Sequence, residues 1–279
     1  MIDPAYALAA AIVWALSPIY YRGFLAKFDV LSFNFLRTSS AAAALAIPAL
    51  ALWSSAGLGY AVLSGAISLA CGDTLFLLSI RETGASVAAP VVYTYVLMIQ
   101  ALGVGLGQSI PYSNFAAALM VLAGVFILSR GGGGKPRLKG IIYAVSAAAL
   151  WTVGQEFIQA STNAGGGTVP VTFTRDFAAA VALGAAFLLT RKGRGWPKGL
   201  GLKGYGAVLL FVLSDLVVGS LLFVYSISTV GVALTVILTS LSPLLTQVFA
   251  KALGKESPSR MDYLGGVLIV SALVLAVSL

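Results

Sequence analysis

Histidine is missing from all 279 residues, and cysteine occurs once, at Cys71. Without histidine the chain lacks the commonest general base and the commonest transition-metal ligand. A lone cysteine excludes an internal disulfide, a multi-cysteine metal site and an iron–sulfur cluster. Charge is scarce as well: Asp, Glu, Lys and Arg make up 9% of the chain, against about 25% in a soluble domain. Too few polar side chains remain to coat a water-soluble particle, so the solvent must be lipid and no soluble domain is left over. The net charge of +8 does not point to nucleic acid, because the cations gather in short connectors between apolar runs, where they signal topology. No cofactor and no metal are expected. The start, Met1-Ile2-Asp3-Pro4, lacks the cationic n-region of a signal peptide, so the first apolar run is expected to be retained.

What is present is apolar: 59% of residues are hydrophobic and the mean hydropathy is +0.98. A helix rises 1.5 Å per residue, so about 20 apolar residues cross about 30 Å of hydrocarbon. The chain divides into runs at 5–24, 30–52, 58–80, 84–107, 112–129, 140–161, 168–190, 205–228, 231–250 and 260–279. The expectation is an all-α integral membrane protein of ten transmembrane helices, with 131–139 as the linker between a first half, 1–130, and a second, 140–279.

The halves repeat one another. Trp14 matches Trp151, Arg37 matches Arg175, and Tyr60 matches Tyr205. Phe76-Leu77-Leu78-Ser79-Ile80 followed by Gly84 returns as Phe223-Val224-Tyr225-Ser226-Ile227 followed by Gly231, and Gln100 returns as Gln247. The offset drifts from 137 to 147, as loop insertions make it. Each half has an odd number of spans, so the second enters the membrane upside down: an inverted repeat, the architecture of many secondary transporters, which open one central site alternately to each side. Of the 17 Lys and Arg residues, all but Arg37 and Arg175 lie in or beside alternate connectors. The positive-inside rule then makes the connectors at 130–139 and 191–204 cytoplasmic and puts both termini outside the cell membrane.

Six ionisable groups fall within the spans: Arg37, Asp73, Glu156, Arg175, Asp176 and Asp215. A charge at a helix centre costs about 2.5 to 3.5 kcal/mol on insertion scales. By depth, Arg37 and Asp73 each lie about two turns from the charge-rich face and can pair. Glu156, Arg175 and Asp176 form a second expected cluster toward the other face. Both clusters read either as fixed ion pairs that hold helices together, or as gates and docking points for a substrate carboxylate or phosphate. Asp215 falls near mid-bilayer with no evident partner at its depth, which makes it the candidate for taking up and releasing a coupling proton, or else a structural aspartate bonded to backbone. Trp14, Trp151, Tyr93, Tyr95, Gln100 and Gln247 can line a cavity, or serve as interfacial anchors and interhelical hydrogen bonds. Pro90 and Pro243, at non-equivalent positions, are expected to kink their spans.

Gly72-Asp73-Thr74-Leu75-Phe76, Arg81-Glu82-Thr83-Gly84-Ala85-Ser86, Ala89-Pro90 and Tyr93-Thr94-Tyr95 together resemble the span 3 to 4 signature of the drug/metabolite transporter superfamily, EamA-like branch. Trp14, Trp151, the two span arginines and Ser242-Pro243 share the resemblance, which covers the whole chain. It implies two five-helix repeats around a central cavity, with spans 5 and 10 peripheral. Substrates across the family range over amino acids, nucleotide sugars, sugar phosphates and drugs. Cytoplasmic termini are expected of such members, the reverse of what the charges here indicate. The function expected is secondary transport of a small organic solute by a monomer with internal pseudo-symmetry, as a proton-coupled carrier or an exchanger; a channel or lipid scramblase is the alternative. An intramembrane enzyme is disfavoured: Gly72-Asp73 is part of a Gly-x-Gly-Asp protease pattern, but position 70 is Ala70 and no partner Tyr-Asp exists.

Overall fold

The computed structural model describes residues 3–128, 137–190, 200–252 and 260–278. Most of the expected connectors 130–139 and 191–204 lies outside these residues. The described chain is helical throughout, without a strand. In the first half come α1 (Asp3–Leu25), α2 (Val30–Ala51), α3 (Leu58–Ser64), α4 (Asp73–Thr83), α5 (Ala85–Val92), α6 (Tyr95–Gly105) and α7 (Tyr112–Leu128). The second half holds α8 (Leu138–Asn163), α9 (Thr168–Thr190), α10 (Gly201–Val212), α11 (Ser220–Thr239), α12 (Ser242–Ala252) and α13 (Arg260–Ser278). Six helical runs are long and apolar enough to cross a membrane: Val30–Ala51, Leu58–Thr83, Val87–Gly105, Leu138–Asn163, Thr168–Thr190 and Gly201–Thr239. Shorter apolar helices span Pro4–Ser17, Tyr112–Leu128 and Tyr263–Ser278.

Lipid tails are as apolar as leucine, so helices in a bilayer are held by close packing and interhelical hydrogen bonds rather than by hydrophobic burial. The packing here is reciprocal. α2 lies along α9 and α7 along α13, while α1 lies against α11 just as α8 lies against α4. Exchanging the two halves returns the same set of neighbours. Two glycines make the central approaches possible. A Cβ on Gly72 would stand 2.7 Å from Cδ1 of Trp151, and one on Gly219 would collide with the indole nitrogen of Trp14. Each indole then meets a phenylalanine of the helix it leans on, Trp151 with Phe76 at 5.1 Å and Trp14 with Phe223 at 5.0 Å between centroids.

The helices of the long central runs are interrupted at matching places. A π-helical stretch at Gly65–Gly72 separates α3 from α4, and another at Leu213–Gly219 separates α10 from α11. Such wide turns rotate the following residues relative to a straight helix and often occur at functional sites. Next, Gly84 turns the chain at φ 80, ψ 159 and Gly231 at φ 81, ψ 161, a region open essentially to glycine alone. Finally, non-helical pairs occur at 93–94, between α5 and α6, and at 240–241, between α11 and α12, at the same sequence offset as the two glycines. The prolines act differently at these breaks. Pro90 precedes the first by a few residues, whereas Pro243 sits just beyond the second and cannot donate to the carbonyl of Thr239. The Ser242 hydroxyl supplies the missing bond to that carbonyl at 2.9 Å.

Candidate functional site

The Asp29 side chain caps α2 by accepting from the amide of Leu31, which places Arg37 two turns into the helix and Asn34 one turn below it on the same face. The guanidinium of Arg37, 6% exposed, binds in two directions. One terminal nitrogen donates to Oδ2 of Asp73 at 3.1 Å and to Oδ1 of Asn34 at 3.1 Å; the other donates to Oδ2 of Asp215 at 2.8 Å. Three separate helical runs are thereby tied at one point. Each carboxylate has a further donor. The indole of Trp151 donates to Oδ1 of Asp73 at 3.0 Å, and the Tyr21 hydroxyl donates to Oδ2 of Asp215. The Tyr21 ring also lies 5.0 Å below the guanidinium carbon of Arg37, where its quadrupole favours the cation. Asn34 is itself fixed, donating to the carbonyl of Leu69 at 2.8 Å and to the Thr74 hydroxyl at 3.0 Å.

The expected pairing of Arg37 with Asp73 is thus present, and Asp215 corrects the expectation that it stands alone. Its partner comes from α2 because Asp215 lies inside the π-helical stretch, whose wide turn presents it toward Arg37. The second expected cluster does not assemble. Glu156 accepts instead from Nε2 of Gln108 at 2.7 Å, and Arg175 donates through Nε to the Ser64 hydroxyl at 2.9 Å. Among the described residues no ion pair joins Glu156, Arg175 and Asp176.

The two ends of the molecule differ around this network. Toward the connector at 26–29, Phe28, Val30, Phe33, Leu77, Val208 and Val212 form a buried apolar plug with Tyr21. It packs close beneath Arg37, whose guanidinium carbon lies 6.0 Å from the Phe33 ring. At the other end a cavity of about 430 Å³ opens among Gln108, Ser109, Asn114, Gln159 and the chain around Gly231. Gln159 accepts from the amide of Val232 at 2.8 Å, bonding a donor beside the Gly231 turn. Of the aromatic candidates, Tyr93, Tyr95 and Trp151 run edge to face, at 6.0 and 5.6 Å, and Trp14 donates to the backbone carbonyl of Asp215 at 3.1 Å. Gln100 is fully buried and donates to the carbonyl of Ala233, while Gln247 donates to that of Leu128. Both glutamines therefore tie one helix to the backbone of another, away from the Arg37 network.

Sequence reasoning missed Tyr21, Asn34, Gln108 and Gln159. Asn34 had a signal, being three residues before Arg37 on one helical face. Tyr21, near the end of its span, reads as an interfacial aromatic.

The model of the EamA-like transporter family matches residues 4–130 and again 138–278. The chain belongs to the EamA-like transporter family. Its apolar helices fit a multi-pass membrane protein. An uncharacterized transporter of Archaeoglobus fulgidus is 28% identical to it over 160 residues, 55% of this chain and 57% of that relative's length. A crystal structure of another protein shares the fold, with a TM-score of 0.81 over 99% of this chain and 98% of that one, at 19% identity. In this EamA-like transporter the Gly72-Asp73 pair stands at the junction of π-helical stretch and α4. There the glycine admits the Trp151 indole and the aspartate receives its proton donor.

Proposed function

We propose that this EamA-like transporter is a secondary carrier of small organic solutes, amino acids or comparable metabolites, working by alternating access between two inverted five-helix halves. The reciprocal seating of Trp151 on Gly72 and Trp14 on Gly219 carries the reading. Two like units that grip one another in the same way can exchange conformations, and the exchange opens a shared centre to one side and then the other. The Arg37 network is the lock on one side. It joins α2, α4 and the π-helical stretch before α11 through contacts that must all break for those helices to part. In this reading the apolar cluster beside it is the closed side at the charge-rich end, and the 430 Å³ cavity at the opposite end is the mouth of the other side. Opposite-facing halves also place the cationic connectors together, on the cytoplasmic side by the positive-inside rule, so the lock is an inner gate. The carrier works as a monomer whose symmetry is internal, in the cell membrane, with both termini outside.

The test is counterflow in proteoliposomes loaded with each of a panel of amino acids and phosphorylated metabolites. Saturable exchange of a labelled solute against its unlabelled form supports the carrier. Electrical conductance without saturation, or lipid flipping without solute exchange, would replace it by a channel or scramblase.

A further inference from the structure

Asp176 is fully buried in α9, and neither of its carboxyl oxygens has a hydrogen-bond partner. It is the next residue after Arg175, whose Nε is spent on the Ser64 hydroxyl. The charged groups that act on it electrostatically are Arg175 on its own helix, Arg37 of α2, Asp73 of α4 and Asp215 of the second π-helical stretch. The other ionisable residues on elements packed against α9 are engaged elsewhere. Tyr60 stacks on Phe157, Tyr225 meets Tyr6, Lys139 lies over Tyr143, Glu156 accepts from Gln108, and Cys71 is exposed. The set around Asp176 thus contains two guanidiniums and three carboxyls. Asp73 and Asp215 share Arg37 and have a second donor each. Asp176 has none, so it is the member whose charge the fold does not meet, and an unmet carboxylate in such surroundings is the costliest group to keep ionised. The matched position in the first half is Thr38, whose hydroxyl is satisfied by the carbonyl of Asn34 at 3.0 Å. The fold does not need an acid at this register, and the second half has one.

We propose that Asp176 is an exchangeable proton-binding site, holding the one proton that balances two guanidiniums against three carboxyls. The proposal rests on the carrier reading only for its purpose: in a carrier, a buried acid within electrostatic reach of the Arg37 network is where a coupling proton is taken up and released. The role expected from the sequence for Asp215 passes to Asp176, because Asp215 is committed to Arg37.

The experiment needs no substrate. Infrared spectra of the purified full chain in a Glu156→Gln background, at neutral pH, are to show the C=O stretch of a protonated carboxylic acid that shifts when water is replaced by D2O. The band is expected to vanish in Asp176→Asn and in Asp176→Thr, which installs the residue of the first half. It is expected to move in Asp176→Glu and to persist in Asp215→Asn. Absence of the band before substitution, its persistence in both Asp176→Asn and Asp176→Thr, or its failure to shift in D2O would overturn the proposal. Counterflow measured on the same preparations keeps the two readings apart. Exchange without the band sinks the proton site and leaves the carrier, whereas the band without exchange sinks the carrier and leaves the site.

Discussion

Arg37 shows how a single residue can tie three helical runs at one point. Removing one partner of a buried ion pair leaves an uncompensated charge in low dielectric, which costs about 3 to 5 kcal/mol. Arg37→Ala strands two carboxylates, Asp73 and Asp215, and is expected to lose that much stability, read as thermal unfolding in detergent. Adding Asp73→Asn and Asp215→Asn to Arg37→Ala should recover most of the loss, because the neutral amides no longer need a cation. An unrecovered triple variant would show that shape rather than charge holds these helices together. Arg37→Lys should fall between, since one ammonium cannot fork toward two carboxylates as the guanidinium does. The Arg37 to Asp73 pairing was legible in the sequence because both residues lie the same number of turns from the same face, and depth is what residue counting measures. The partnership with Asp215 was not legible. Counting places Asp215 near mid-bilayer, away from the depth of Arg37, and it gives no azimuth, which the π-helical turn at Leu213–Gly219 changes without altering composition. The absence of an ion pair among Glu156, Arg175 and Asp176 has the same origin: similar depth does not mean facing sides.

Two of the breaks in the central runs, at Gly84 and Gly231, rest on glycine geometry rather than on proline. Pro90 and Pro243 stand at unlike positions, yet the breaks at 93–94 and 240–241 are equivalent, so sequence reading found that the spans bend and misplaced the symmetry of the bending. Gly84 and Gly231, matched in the sequence as part of a repeated phrase, prove to share one backbone conformation. Gly231→Ala forces a side chain into a glycine-only region and is expected to cost about 1 to 3 kcal/mol. Gly59→Ala, inside α3 with open space around its Cβ, should instead gain up to about 1 kcal/mol from helix propensity. Thermal unfolding of the two variants side by side checks the contrast, and equal effects would remove the argument that Gly231 is held by its φ angle. Gly72→Ala and Gly219→Ala probe the reciprocal seats. Each is expected to displace one indole, Trp151 or Trp14, and to shift the tryptophan emission. If the halves are equivalent in packing, the two shifts should be comparable.

For the molecule as a whole, orientation is the property most open to a direct check. With Cys71 replaced by alanine, a single cysteine at Gly133 should be shielded from a membrane-impermeant maleimide in intact cells, and one at Ala164 should react. The reverse result would turn the charge-based topology over and make the Arg37 lock an outer gate. A second consequence follows from the outermost helix pair. α7 and α13 make the most extensive contact between the halves, and at its centre Gly124 and Gly265 face each other so closely that a Cβ on either would stand 2.8 Å from the other's carbonyl oxygen. Backbone lies on backbone at this point, with Ile269 and Leu128 packed tightly beside it, so the seam is expected to act as an axle. Spin labels flanking it should report one fixed spacing under every solute and pH condition, while labels on α2 and α11 report two.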